Sequence, residues 1–127
     1  VIVPYNALGM KINKQVVCAD GFAMSVQANE TAYCHPRTNN AEAYEEVEVG
    51  FPTKKEELLM EWAEDPSQPT NTVYGWVPIS QVLLVIAKHG GMVEGELPRG
   101  MPRLVPPDKL LTHQMLTTHS LGAIFIS

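Results

Sequence analysis

The stretch KQVVCADGFAMSVQA (residues 14–28) constrains the fold more than any other part of this chain. Asp20-Gly21 stands between two apolar, strand-forming runs and supplies the two positive-φ positions of a tight hairpin turn. A two-residue loop pairs Ala19 with Phe22 and Val17 with Met24. That register gathers Val17, Ala19, Phe22, Met24 and Val26 on one apolar face and leaves Cys18, Ala23, Ser25 and Gln27 on the other.

Further strands and helices follow in order. AYEEVEVGF (residues 43–51) alternates, with Val47, Val49 and Phe51 on one side and Glu46, Glu48 and Gly50 on the other, as in a sheet with one wet face. Pro52 ends this third strand. Thr53 and Glu56 match a capping box and open a helix whose buried stripe is Leu58, Leu59, Trp62 and Ala63; Asp65-Pro66 stops it. NTVYGWVP (residues 71–78) is a fourth strand, rich in β-branched and aromatic residues. It runs into the helix ISQVLLVIAKHGG, which is apolar from Val82 to Ala87 and so needs cover on most sides. Lys88 and His89 fall in its last turn, where cations suit the helix dipole, and Gly90 takes the left-handed position after it. Leu59, Trp62, Leu83 and Ile86 are expected to be buried where the helices meet the sheet. Beyond Met92, GELPRGMPRLVPPDKLL holds four prolines and predicts an extended chain.

The order β-β-β-α-β-α predicts an α+β fold: a mainly antiparallel sheet of about four strands, two helices on one face, and an extended proline-rich C-terminal arm. The chain divides into an N-terminal extension (residues 1–9), a core domain (10–93) and the arm with its apolar end (94–127). MKINKQ at Met10 has the look of a bacterial start. The apolar segment Leu110–Ser127, ending in AIFIS, needs sequestering, and an extended arm suits exchange between two copies; a homodimer is expected.

At 127 residues, 45% hydrophobic and 18% charged, the chain holds one modest core and is not disordered by composition. The net charge of -5 is uneven: nine carboxylates between Glu42 and Asp65 meet only Lys54 and Lys55, a local balance of -7. Phosphate backbones need clustered Lys and Arg, which argues against nucleic acid, and no nucleic-acid partner is expected. No apolar run is long enough for a membrane span, and VIVPYNALGM has no basic region ahead of its apolar residues. A cytoplasmic protein is expected.

The strings DGFAMSVQA, YCHPR, YEEVEVGFP, TVYGWVP and HGG, spread over Gln15 to Gly91, are similar to a set of small uncharacterised proteins encoded by phages and other mobile elements of bacteria. The resemblance implies a bacterial, intracellular accessory protein and names no catalytic residue.

Cys34-His35-Pro36-Arg37 is the densest chemistry in the chain. A nucleophilic thiol needs a base within hydrogen-bond reach, yet neighbours in an extended segment point to opposite sides, which places His35 badly to activate Cys34. The segment is read as a strand end with a small buried thiol, a turn at Pro36 and an Arg37 paired with the acidic strand. Only Cys34-His35 has close metal-ligand spacing, so no metal or cofactor is expected. Glu46 and Glu48, about 7 Å apart on pleat geometry, form a solvated strand face. Tyr74 and Trp76 share a face of strand four and are expected outward if Val73, Gly75 and Val77 meet the helices. Gly75 lets another group approach the backbone. Together Tyr33, Cys34, His35, Arg37, Tyr44, Glu46, Glu48, Tyr74 and Trp76 make a surface for a protein partner, and the expected mode is interaction without catalysis. The alternatives are a small-molecule binding module using the cleft beside the Cys34 loop, and a small thiol-dependent enzyme.

Overall fold

The hairpin forms, with its register moved by one residue. The structure is a computed structural model and describes residues 12–107. Strand β1 (Val16–Cys18) pairs with β2 (Ala23–Gln27) so that Val16 faces Met24 and Val17 faces Ala23. The turn spans three residues. Cys18 accepts from the Gly21 N–H at 2.9 Å and donates to the Phe22 carbonyl at 2.8 Å, and Gly21 sits at φ +94°. Three-residue loops of this kind place glycine in the left-handed position. The slip reverses β1 alone: Val16 and Cys18 are buried with Phe22, Met24 and Val26, and the expected inward Val17 and Ala19 are half-buried and exposed. Asp20 explains the choice, because its carboxylate is committed to the Phe22 N–H and to His89.

Strand β3 (Glu46–Gly50) pairs with β2 and with β4 (Val73–Pro78), and β5 (Met92–Glu94) pairs with β1. The result is a five-stranded antiparallel sheet in the order β4-β3-β2-β1-β5. Val47 and Val49 point inward as expected. Phe51 does not: it leaves the strand at φ +48° and is exposed.

The first helix is shorter and tighter than its capping box predicts. Thr53 is drawn into the sheet instead, donating to the Ala23 carbonyl at 2.9 Å and accepting the Ala23 N–H on Oγ1 at 3.0 Å. Glu56 becomes the cap, taking the Leu58 N–H at 2.9 Å, and only a 3-10 helix, Glu57–Trp62, follows. Of its expected stripe, Leu59 is fully buried, while Leu58, Trp62 and Ala63 are half-buried. Helix α1 (Ile79–Lys88) buries Val82, Val85 and Ile86, whereas Leu83 is half-buried. Its end is a Schellman motif: Gly90 donates to Ala87 and Gly91 to Ile86, with Gly90 at φ +92°. The two glycines turn the chain into β5, whose Met92 closes the core.

The proline-rich segment is extended, and as far as Pro107 it lies along its own domain. Leu97, Met101 and Leu104 pack on the core, and the Leu104 carbonyl accepts the Met92 N–H at 2.7 Å. The expectations for residues 1–9, and the dimer read from Leu110–Ser127, fall outside the described residues. No helix among the described residues is long and apolar enough to cross a membrane.

Candidate functional site

One irregularity in the sheet organises the surface around β4. Between Val47↔Val77 and Val49↔Tyr74, Gly75 and Trp76 together oppose the single residue Glu48. This is a β-bulge, and it inserts one residue into the alternation of β4. Tyr74 and Val77, three apart, therefore both point into the core and are fully buried. The expectation of an outward Tyr74 is corrected on this ground: its hydroxyl donates to the Pro69 carbonyl at 2.6 Å and is not available at the surface. Trp76 takes the extra position at φ +51° and stays 46% exposed.

The Tyr33–Arg37 loop lies over this bulge. The Trp76 N–H donates to the Tyr33 carbonyl at 2.9 Å, and the two rings stack with centroids 5.0 Å apart. Tyr33 packs over Gly75, where an added Cβ would stand 3.2 Å from the Tyr33 Cβ. The Arg37 guanidinium lies 5.4 Å from the centre of the Tyr33 ring, and its Nη2 donates to the Thr31 carbonyl. Glu48 accepts the Tyr33 N–H at 3.3 Å. Burial pushes the Glu48 carboxyl up; the Tyr33 N–H and Arg37 pull it back, and the charge of Glu64 raises it further. The structure thus brings together Tyr33, Arg37, Glu48 and Trp76 from the sequence-derived set.

The other members of that set are placed elsewhere. Cys34 is buried, its Sγ 3.2 Å from the Asn29 carbonyl, and burial raises its thiol above the usual range. Tyr44 is buried as well, correcting its expected place on the surface: its hydroxyl donates to Thr38 and accepts from the Ala41 N–H, closing the loop between them. His35 pairs through its backbone with Glu46, and its ring turns to Glu45 at 3.3 Å, so it serves no thiol. Glu46 is half-buried at the start of β3.

Two residues of the patch were not legible as such. Trp62 and Glu64 arrive because Ala63 bridges to Tyr74, and the Glu64 N–H donates to Val73, so that this segment runs along the β4 edge. Tyr33, Trp62, Glu64, Gly75 and Trp76 line a cavity of about 320 Å³. The signal available was Gly75 itself, a gap in an aromatic strand that something else must fill.

A second cluster was missed entirely. His89 is buried and stacked on Phe22, with Nδ1 2.6 Å from Asp20 Oδ2 and Nε2 2.6 Å from Glu56 Oε1. Lys88 completes it at 2.8 Å from Glu56 Oε2. Each ring nitrogen thus faces a carboxylate oxygen within hydrogen-bond distance. Every carboxylate oxygen and ring nitrogen has a partner within the fold, three of these contacts joining different elements, which marks the cluster as a structural tie. A third feature, a cleft of about 300 Å³, is lined by Asn13, Asn29, Asn39, Asn40, Tyr44 and Arg99 among others. Asn13 Nδ2 donates to the Val26 carbonyl of β2, and Asn39 and Asn29 accept the Glu30 and Ala32 N–H groups on Oδ1. No group of three or more potential metal ligands with suitable geometry occurs among the described residues.

Comparison of this chain with protein-family models, with curated proteins and with solved structures finds no match.

Proposed function

We propose that this protein acts by binding a protein partner through the face built on Tyr33, Arg37, Glu48 and Trp76, as an accessory protein of the bacterial mobile-element kind that its sequence resembles. The observation that carries the reading is the conformation of Trp76. A bulky residue at positive φ is disfavoured by about 1–2 kcal/mol and persists only where its surroundings over-determine it. Here the bulge, the Tyr33 carbonyl and the ring stack hold a half-exposed indole at the surface. Tryptophan, tyrosine and arginine are also the side chains that anchor protein interfaces.

A photo-crosslinking residue at position 76, with one at the exposed Lys55 as control, tests this in bacterial cells. The expected outcome is one protein captured at position 76 and not at 55, which in purified form binds the wild-type chain at least tenfold more tightly than Trp76→Ala. Equal capture at both positions, or equal affinity for both proteins, overturns it.

The small-molecule reading draws on the cavity beside Tyr33, which adjoins the Cys34 loop. The thiol-enzyme reading has less behind it: Cys34 is buried with a raised thiol and no imidazole beside it. A homodimer through Leu110–Ser127 stays part of the proposal, and deleting residues 110–127 is expected to give a monomer by sedimentation.

A further inference from the structure

The chain has two tryptophans, and both line one cavity. Trp62, Trp76 and Tyr33 line it; the Tyr33 ring is already engaged by Trp76 and Arg37, which leaves the two indoles as the aromatic surface for a ligand, and Glu64 adds a carboxylate to the wall. From this arrangement we infer that the cavity takes the alkylammonium end of a lysine side chain, methylated or not, presented by the partner protein; the inference rests on the interaction reading above.

Aromatic faces carry a negative quadrupole and attract a cation within about 6 Å of the ring centre, and they do so most strongly where water is partly excluded. One ring of the set already does this, since the Arg37 guanidinium stands 5.4 Å from the Tyr33 centroid. The charge balance leaves room for a second cation. Glu48 and Glu64 are close enough that the charge of one raises the carboxyl of the other, and Arg37 is the cation that acts on Glu48. The Glu64 carboxylate has no ion-pair partner among the described residues, so of the two carboxylates only Glu48 has a guanidinium acting on it. The wider surroundings, at -7 between Glu42 and Asp65, add a field of the same sign.

Other occupants fit less well. A neutral aliphatic anchor would strip water from Glu64 and return no charge, which is a cost without compensation. An anionic group would meet like charge. An ammonium on a slender methylene stem enters this open cavity, packs its stem on the indoles and sets its head against Glu64.

Because Trp62 and Trp76 are the chain's only tryptophans, both indole N–H signals in an NMR titration report on this cavity. The probes are Nα-acetyl-lysine methylamide, its Nε-trimethyl form, its neutral Nε-acetyl form, and tetramethylammonium. The two cationic lysine probes are expected to shift both indole signals, and the Nε-acetyl form to bind at least tenfold more weakly. Glu64→Gln, a change at an exposed side chain, is expected to weaken the cationic probes about three- to tenfold with no loss of Tm. Equal binding of the Nε-acetyl form reduces the cavity to an apolar slot and overturns the inference, as does no shift with any probe, or unchanged affinity in Glu64→Gln. Tighter binding of tetramethylammonium than of either lysine probe overturns the partner-borne source and points to a free ammonium ligand. Failure of the two readings is distinguishable. A partner captured at position 76 whose affinity ignores Glu64→Gln defeats the cation site alone. Lysine probes that bind while no partner is captured defeat the protein-interaction reading.

Discussion

Gly75 and Glu48 face each other across the bulge, and each can be tested alone. At Gly75 an added methyl would press on the Tyr33 Cβ at 3.2 Å, tighter than ordinary contact, so Tyr33 must shift off Trp76. Gly75→Ala is expected to cost about 1 kcal/mol, the low end for overpacking because Tyr33 can move outward. It should also shift the tryptophan emission to the red; an unchanged spectrum would show that the stack does not depend on this gap. Glu48 is held above its ordinary range by burial, so its charged form weighs against the fold. Such a group contributes fully below its unfolded value, near pH 4, and that contribution is lost as pH rises through the higher folded value. Glu48→Gln is therefore expected to raise Tm at pH 7, with the gain vanishing below about pH 4. A gain that persists in acid would assign the effect to packing. Residue identities on the patch were partly legible, since Tyr33, Arg37, Glu48 and Trp76 were all named from sequence. The inward turn of Tyr74 was not, because alternation counts residues and a bulge adds one without a local sequence mark beyond Gly75.

Among the elements, the β1–β2 hairpin shows how far a strong local signal reaches. Asp20-Gly21 gave the right element at the right place and the wrong partner for every residue of β1. The deciding contact was Asp20 to His89, sixty-nine residues away, which no local pattern carries. The registers separate in a simple experiment. Val16→Thr puts a hydroxyl into the core and is expected to destabilise by about 1–3 kcal/mol, while Val17→Thr should stay within about 0.5 kcal/mol. Denaturant melts that reverse this order would restore the two-residue turn. The 3-10 helix carries the same lesson: Thr53-to-Glu56 spacing fits a capping box, but Thr53 meets a better partner in Ala23 across the sheet. Helix α1 was legible almost to its last residue because its apolar run and the Gly-Gly stop are both local.

For the molecule as a whole, class and layering could be read from the order of elements, and the fifth strand could not, since three residues leave no alternation to detect. What ties the layers is the charged cluster under Phe22, where the hairpin turn, the 3-10 helix cap and the end of α1 meet through Asp20, Glu56, Lys88 and His89. His89 and Glu56 are buried while Asp20 and Lys88 are half-exposed, so His89→Gln is expected to cost about 2–3 kcal/mol, below the figure for a fully buried ion pair. The same cluster sets the acid limit. The Asp20 carboxyl is lowered by the Phe22 N–H and by His89; at Glu56, burial raises the carboxyl, and Lys88, the Leu58 N–H and His89 more than offset it. Both folded values lie below their unfolded ones, so the stability they confer is complete above about pH 4 and is lost as pH falls through the folded values. Tm measured against pH should be flat from neutrality to about 5 and then drop, and Glu56→Gln should make the drop shallower. A further consequence lies in the strand order. Strands β1 to β4 are a meander that can form as the chain is made, but the second partner of β1 is β5, and Cys18 waits for Met92, seventy-four residues later. At a ribosomal rate of about 5–20 residues per second, that edge stands open for roughly 4–15 s in every round of synthesis. A nascent chain halted at Gly91 should therefore pair with its neighbours on a polysome, visible as light scattering from the released fragment. A fragment that stays dispersed and folded would show that β1 tolerates the wait without β5.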